Sequence, residues 1–192
     1  MEKITSAYAI NLRNITGTRT LLSNLSTSLD TPINDSTDPH EVLRYFQEKP
    51  LTLLIKANDE QAALVGFSKN MYKAPEHWVT TTLVFTKFRG SELNKELKRG
   101  IAEICDLNEI PLGAIVRDWN LRSYNAMRKA FPYTEPQVIP LKPKDNRPNS
   151  DSGWFFDLRT AVFEAPTVKV RKLDTYINEW WSYQAQNELE LV

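Results

Sequence analysis

Apolar and polar residues change their spacing several times along the chain, and each change marks an element. Residues 3–12 alternate loosely through Ile4, Tyr8 and Ile10 and predict a strand. Residues 15–29 carry Leu21, Leu22, Leu25 and Leu29 at helical spacing. A polar, turn-rich run follows, and Asp38-Pro39 opens a short helix to Gln47, Asp38 capping the amides and Pro39 taking the first helical position. Residues 51–57, 62–71 and 78–85 read as three consecutive antiparallel strands, with turns at 58–61 and at Pro75.

The next segment switches period within a few residues. Residues 86–91 form a basic loop containing Gly90. From Ser91 onward Leu93, Leu97, Ile101, Ile104 and Cys105 share one helical face, with Lys95, Glu96, Lys98 and Arg99 on the other. Residues 112–116 are wholly apolar, as expected of a strand buried on both faces. Strand, helix and buried strand together predict a right-handed parallel crossover. A second amphipathic helix over 120–131 turns Leu121, Tyr124 and Phe131 toward the core. Strands are expected at 138–141 and 154–163, separated by a long polar connection at 142–152. Residues 169–172 read as a charged linker, and residues 173–191 as a terminal helix rich in Tyr and Trp.

Composition narrows the function classes. A chain of 192 residues suffices for one domain with an appendage, here 1–170 followed by a helical tail from 171. Twenty-four basic and twenty-four acidic residues cancel, which argues against nucleic acid or an anionic membrane as partner. One cysteine, Cys105, excludes an intrachain disulfide, and two distant histidines, His40 and His77, give no metal site. No stretch approaches eighteen apolar residues and the first residues hold no apolar leader, so a cytoplasmic protein is expected.

The segment Val84-Phe85-Thr86-Lys87-Phe88-Arg89-Gly90-Ser91-Glu92-Leu93 is an apolar strand end, an aromatic before Arg-Gly, and a helix start. Asn120-Leu121-Arg122-Ser123 begins the later helix and Lys129-Ala130-Phe131 ends it. With the order of elements, these residues resemble the GNAT (GCN5-related N-acetyltransferase) superfamily over roughly residues 51–131. The resemblance implies an α/β (α+β) fold with a mixed, mostly antiparallel sheet of about six to seven strands flanked by helices. It also implies an enzyme that moves an acyl group from acetyl-CoA to the amine of a small molecule or protein. Coenzyme A would lie along Val84, Phe85 and Thr86, with its diphosphate at Arg89, Gly90, Ser91, Glu92, Leu93 and Asn94. Helix-start amides and the helix dipole favour such an anion. Arg89 and Lys87 would add charge, and Asn120 and Ser123 would reach the pantetheine arm.

Glu92 and Asn94 stand where the family pattern has small residues, and Met127 where many members carry a proton-donating tyrosine. Tyr124 is the nearby substitute, and His77 the candidate base, although a histidine beside Trp78 at a strand start also reads as packing. Glu92 is equally the ordinary dipole-matching residue of a helix start. The alternative reading is therefore a GNAT-fold binding or assembly module without catalysis. Its aromatic tail, Tyr176, Trp180, Trp181 and Tyr183, either docks on the domain or forms a homodimer surface.

Overall fold

The computed structural model describes residues 4–16, 18–30, 32–69, 76–141, 151–159 and 161–189. Along the chain run β1 (Ser6–Asn11), α1 (Arg19–Ser26), α2 (Pro39–Gln47), β2 (Leu51–Ala57), β3 (Glu60–Lys69) and β4 (Trp78–Val84). There follow α3 (Leu93–Leu107), β5 (Leu112–Arg117), α4 (Leu121–Ala130), β6 (Gln137–Pro140), β7 (Ser152–Asp157), β8 (Lys169–Arg171) and α5 (Leu173–Leu189). One mixed sheet has the order β6-β7-β5-β4-β3-β2-β1-β8. The expected turn at Pro75 and nearly all of the expected connection at 142–152 lie outside the described residues.

The chain divides into two compact units, the first of Met1–Gly66, Thr81–Ser91 and Val168–Val192, the second of Phe67–Thr80 and Glu92–Thr167. In the first unit α1 and α2 cover one sheet face. Leu21, Leu25, Val42, Leu43 and Phe46 from the helices pack on Leu54, Leu64, Leu83 and Phe85 from the strands. Asp38 caps α2 as expected, its carboxylate accepting from the His40 and Glu41 amides at 2.8 and 3.0 Å. The β2–β3 connection is tighter than expected: Asn58 and Asp59 both have positive φ, 51° and 60°, the requirement of a two-residue type I′ turn.

In the first unit β8 pairs in parallel with β1, matching Tyr8 with Arg171. The segment read as a solvated linker is thus an eighth strand, one more than the sheet was expected to hold. Behind it Leu173, Ile177 and Trp180 are buried along one side of α5, which packs on β1. The tail therefore docks on its own chain through one face.

In the second unit Leu93, Leu97, Ile101, Ala102 and Cys105 of α3 are buried, and α3 packs on α4 and β5. β5 pairs with β7 from Gly113↔Asp157 to Arg117↔Gly153. Gly113 leaves room for the Phe155 ring, because a Cβ there would lie 2.6 Å from it. β7 stops at Asp157, well short of the expected residue 163. Leu121, expected in the core, is 60% exposed.

Glu96 and Arg99, expected on the solvent face of α3, are instead buried. A Glu96 carboxylate oxygen accepts from the Thr167 amide at 2.6 Å, and Arg99 Nε donates to the Ala130 carbonyl at 3.1 Å. Each charge thereby satisfies a backbone group that would otherwise be stranded. No helix among the described residues is long and apolar enough to cross a membrane.

Candidate functional site

β4 begins beside β5, in parallel register at Trp78↔Leu112 and Val79↔Gly113. Its far end runs into a single 3-10 turn at Thr86–Phe88. The turn is tightly bonded within the first unit. The Phe85 amide donates to the Ala62 carbonyl at 2.9 Å, so it is spent on the sheet. The Thr86 amide donates to Ser28 Oγ at 3.0 Å, and its hydroxyl to the Thr27 carbonyl at 2.8 Å.

Arg89 was expected to meet a diphosphate, and the structure commits its guanidinium internally. Nε donates to the Val84 carbonyl at 3.1 Å, Nη1 to the Asp30 carboxylate at 2.6 Å, and Nη2 to the Ser28 carbonyl. Its side chain is 17% exposed. Arg89 therefore staples the end of β4 to the residues after α1. Lys87 is likewise taken, hydrogen-bonded to Glu60 at the start of β3. The two expected sources of positive charge are thus each paired with a carboxylate of the first unit.

What remains at the turn is backbone. Gly90 has φ +77°, a left-handed conformation suited to glycine, and a Cβ there would meet nothing within 4 Å. The Ser91 hydroxyl donates to the Phe88 carbonyl at 2.6 Å. In the second unit Glu92 holds the cap position without a side-chain cap bond. The α3 ladder begins with the Glu96 amide donating to the Glu92 carbonyl at 2.9 Å, which puts the amides of residues 93–95 ahead of it. Leu93 is fully buried, and Asn94 Oδ1 is buried without a hydrogen-bond partner among the described residues. The Glu92 carboxylate is 65% exposed and paired with Lys95. The Lys95 hydrogen bond holds it below its ordinary pKa.

Elsewhere in the second unit Asn120 caps α4, Oδ1 accepting from the Ser123 amide at 3.0 Å. The Asn120 carbonyl is therefore used by its own helix. The Tyr124 ring lies 4.3 Å from Trp154 and 5.9 Å from Phe156, centroid to centroid. Met127, one turn on, is buried.

His77 is 1% exposed and stands at the opposite end of β4 from Phe85. Its Nε2 lies 3.3 Å from Asp157, its Nδ1 3.1 Å from Glu76, and its ring meets Phe155 edge-on. Burial pushes the Asp157 carboxyl up, but hydrogen bonds from Arg159 and then His77 outweigh it and hold the pKa at about 2. The His77 ring is thus packed among Phe155, Asp157 and Glu76.

One feature of the first unit had no counterpart in the sequence reading. A cleft of about 570 Å³ opens beside α1, bordered by β2, the β2–β3 turn and residues 85–88. Thr16, Thr20, Asn24 and Thr27 line it at near-helical intervals. That polar spacing was visible in the sequence, where it registered only as Ser/Thr content. No group of described residues is arranged to hold a metal ion.

No family model matches the chain, and no curated protein does. Among solved structures, the ribosomal-protein-S18-alanine N-acetyltransferase from Escherichia coli is similar over 82% of this chain and 96% of that one, with TM-score 0.54 and 10% identity. A Salmonella typhimurium protein solved with its cofactor acetyl-CoA covers 77% and 90%, with TM-score 0.53 and 14% identity. The GNAT domain of S. lividans PAT covers 79% and 89%, with TM-score 0.51 and 14% identity. Sheet order, crossover and these likenesses agree that the chain has the GNAT acetyltransferase fold.

Proposed function

We propose that the protein is an acetyl-CoA-dependent N-acetyltransferase. The observation that carries this reading is the strand–turn–helix at 84–94, with Gly90 in a left-handed conformation and open space around it, in a fold whose neighbours include one solved with acetyl-CoA. Backbone fits the cosubstrate here and side-chain charge does not. The start of α3 would take the diphosphate, as helix starts do. The buried Asn94 Oδ1 would accept a ligand N–H, since an unpaired buried acceptor costs about 1–3 kcal/mol.

Bound acetyl-CoA supplies a thioester whose carbonyl carbon accepts the amine's lone pair as the C–S bond breaks, the amine's proton balancing the thiolate. The chain's part is to position and to polarise. With Phe85 paired to β3, the β4 amide proposed to polarise that carbonyl is that of Val84, its neighbour on the alternate side of the strand. Tyr124 is the proposed proton donor, standing one helical turn before Met127. His77 is not proposed as the base.

The second reading, a binding module without catalysis, draws on the exposed Glu92 carboxylate at the helix start and on the internally committed Arg89. Isothermal titration with acetyl-CoA separates the two. Micromolar binding supports the transferase, and no binding at millimolar ligand removes it.

A further inference from the structure

The cleft beside α1 carries a charge arrangement that selects a ligand. Its volume, about 570 Å³, falls in the range of roughly 300–1,000 Å³ usual for small-molecule sites. Four ionisable side chains border it: Lys56, Asp59, Glu60 and Lys87. Lys87 and Glu60 are hydrogen-bonded to each other and cancel. Lys56 and Asp59 are left, one of each sign, with no ion pair to either among the described residues.

The two signs are held apart by the hairpin itself. Lys56 is half-buried on β2, and Asp59 is exposed in the turn, fixed by its positive φ of 60°. In the sheet Lys56 is matched with Tyr8 on β1, and Tyr8 with Arg171 on β8. The Arg171 guanidinium stands 5.6 Å from the Tyr8 ring and donates to its hydroxyl at 3.4 Å. The rest of the wall is uncharged, with hydrogen-bonding groups from Asn14, Thr16, Thr20 and Asn24 beside apolar Ile10, Ile15 and Leu54. A simple anion would face Asp59 unmatched, and a simple amine would face Lys56 unmatched. A molecule carrying both groups matches both.

We propose that this cleft is the acceptor subsite and that the acceptor is of the amino-acid class, its carboxylate on Lys56 and its ammonium toward Asp59. The assignment rests on the acetyltransferase reading for the word acceptor, and on the first unit alone for the binding.

The test is calorimetric titration of the protein with the proteinogenic amino acids, each beside its α-amide and its N-acetyl derivative. The α-amide lacks the carboxylate and the N-acetyl form lacks the ammonium. At least one amino acid is expected to bind roughly 10- to 100-fold more tightly than its α-amide, the weight of one charge-assisted contact. Lys56→Met should abolish that preference and Lys56→Arg should restore it. Asp59→Asn should weaken the amino acid and leave its N-acetyl form unchanged. Equal binding of acid and amide overturns the proposal, as does binding of no member of the set. If Lys56→Met does not fold, the comparison on the unaltered protein still decides. Acetyl-CoA is titrated separately: its binding without any amino acid sinks this proposal and leaves the transferase reading, and the reverse outcome does the opposite.

Discussion

Replacing Arg89 with alanine removes three hydrogen bonds from one partly buried guanidinium. Two of them end on backbone carbonyls, Val84 and Ser28. A hydrogen bond from a charged donor contributes about 1.5–3 kcal/mol when buried, and the 17% exposure of Arg89 argues for the lower end. Asp30 is 56% exposed, so its ion pair adds only about 0–1 kcal/mol. Arg89→Ala should therefore cost about 3–4 kcal/mol. At about 2–4 °C per kcal/mol for a chain of this size, the melting point should fall by about 10 °C. Arg89→Lys should recover only a minor part, because one ammonium cannot serve three acceptors spread over a fork. Urea and thermal unfolding followed by the fluorescence of the five tryptophans would measure both variants. A loss under about 1 kcal/mol for Arg89→Ala, or full recovery by lysine, would show the guanidinium free in solution and would restore it as a ligand contact.

Two further outcomes follow from charges near the helix ends and strand ends. Glu92→Gly removes a carboxylate from the start of α3 and releases Lys95, so acetyl-CoA should bind roughly two- to fivefold more tightly or no differently. Abolished binding in that titration would mean the diphosphate has been placed at the wrong turn. Asp157 has a folded pKa of about 2 against an ordinary 3.8, so its contribution is complete above about pH 4 and disappears as pH falls through 2. Discounted for a side chain one-third exposed, the contribution is about 1 kcal/mol. Urea unfolding of Asp157→Asn should show that deficit at pH 7 and none at pH 2, and a pH-independent difference would dissociate it from the carboxylate.

The sequence showed the architecture best where local pattern and tertiary role coincide. The apolar run at 112–116 is a central strand because both its faces are covered, and Asp38-Pro39 is a helix start by its own chemistry. Glu96 and Arg99 were misplaced because helical periodicity assigns charges to water, whereas their partners, Thr167 and Ala130, lie 71 and 31 residues away. β8 was missed since two of its three residues are charged and only pairing with β1 makes it a strand. At the candidate site the glycine was legible and the arginine was not. Gly90 is demanded by its own backbone angle, whereas the role of Arg89 depends on Ser28 and Asp30, which a different part of the chain delivers. Lys56 and Asp59 were passed over because a hairpin is read for its turn, not for the charges that it sets apart.

The short parallel strand β8 has a bearing on solubility. β1 carries alanines on its buried side and would otherwise offer a row of unsatisfied amides and carbonyls to any neighbouring chain. Three residues of β8, two of them cationic, occupy that border, and α5 anchors them from behind. The C-terminal stretch thus acts as a selvedge, finishing the fabric so that it does not catch on its neighbours.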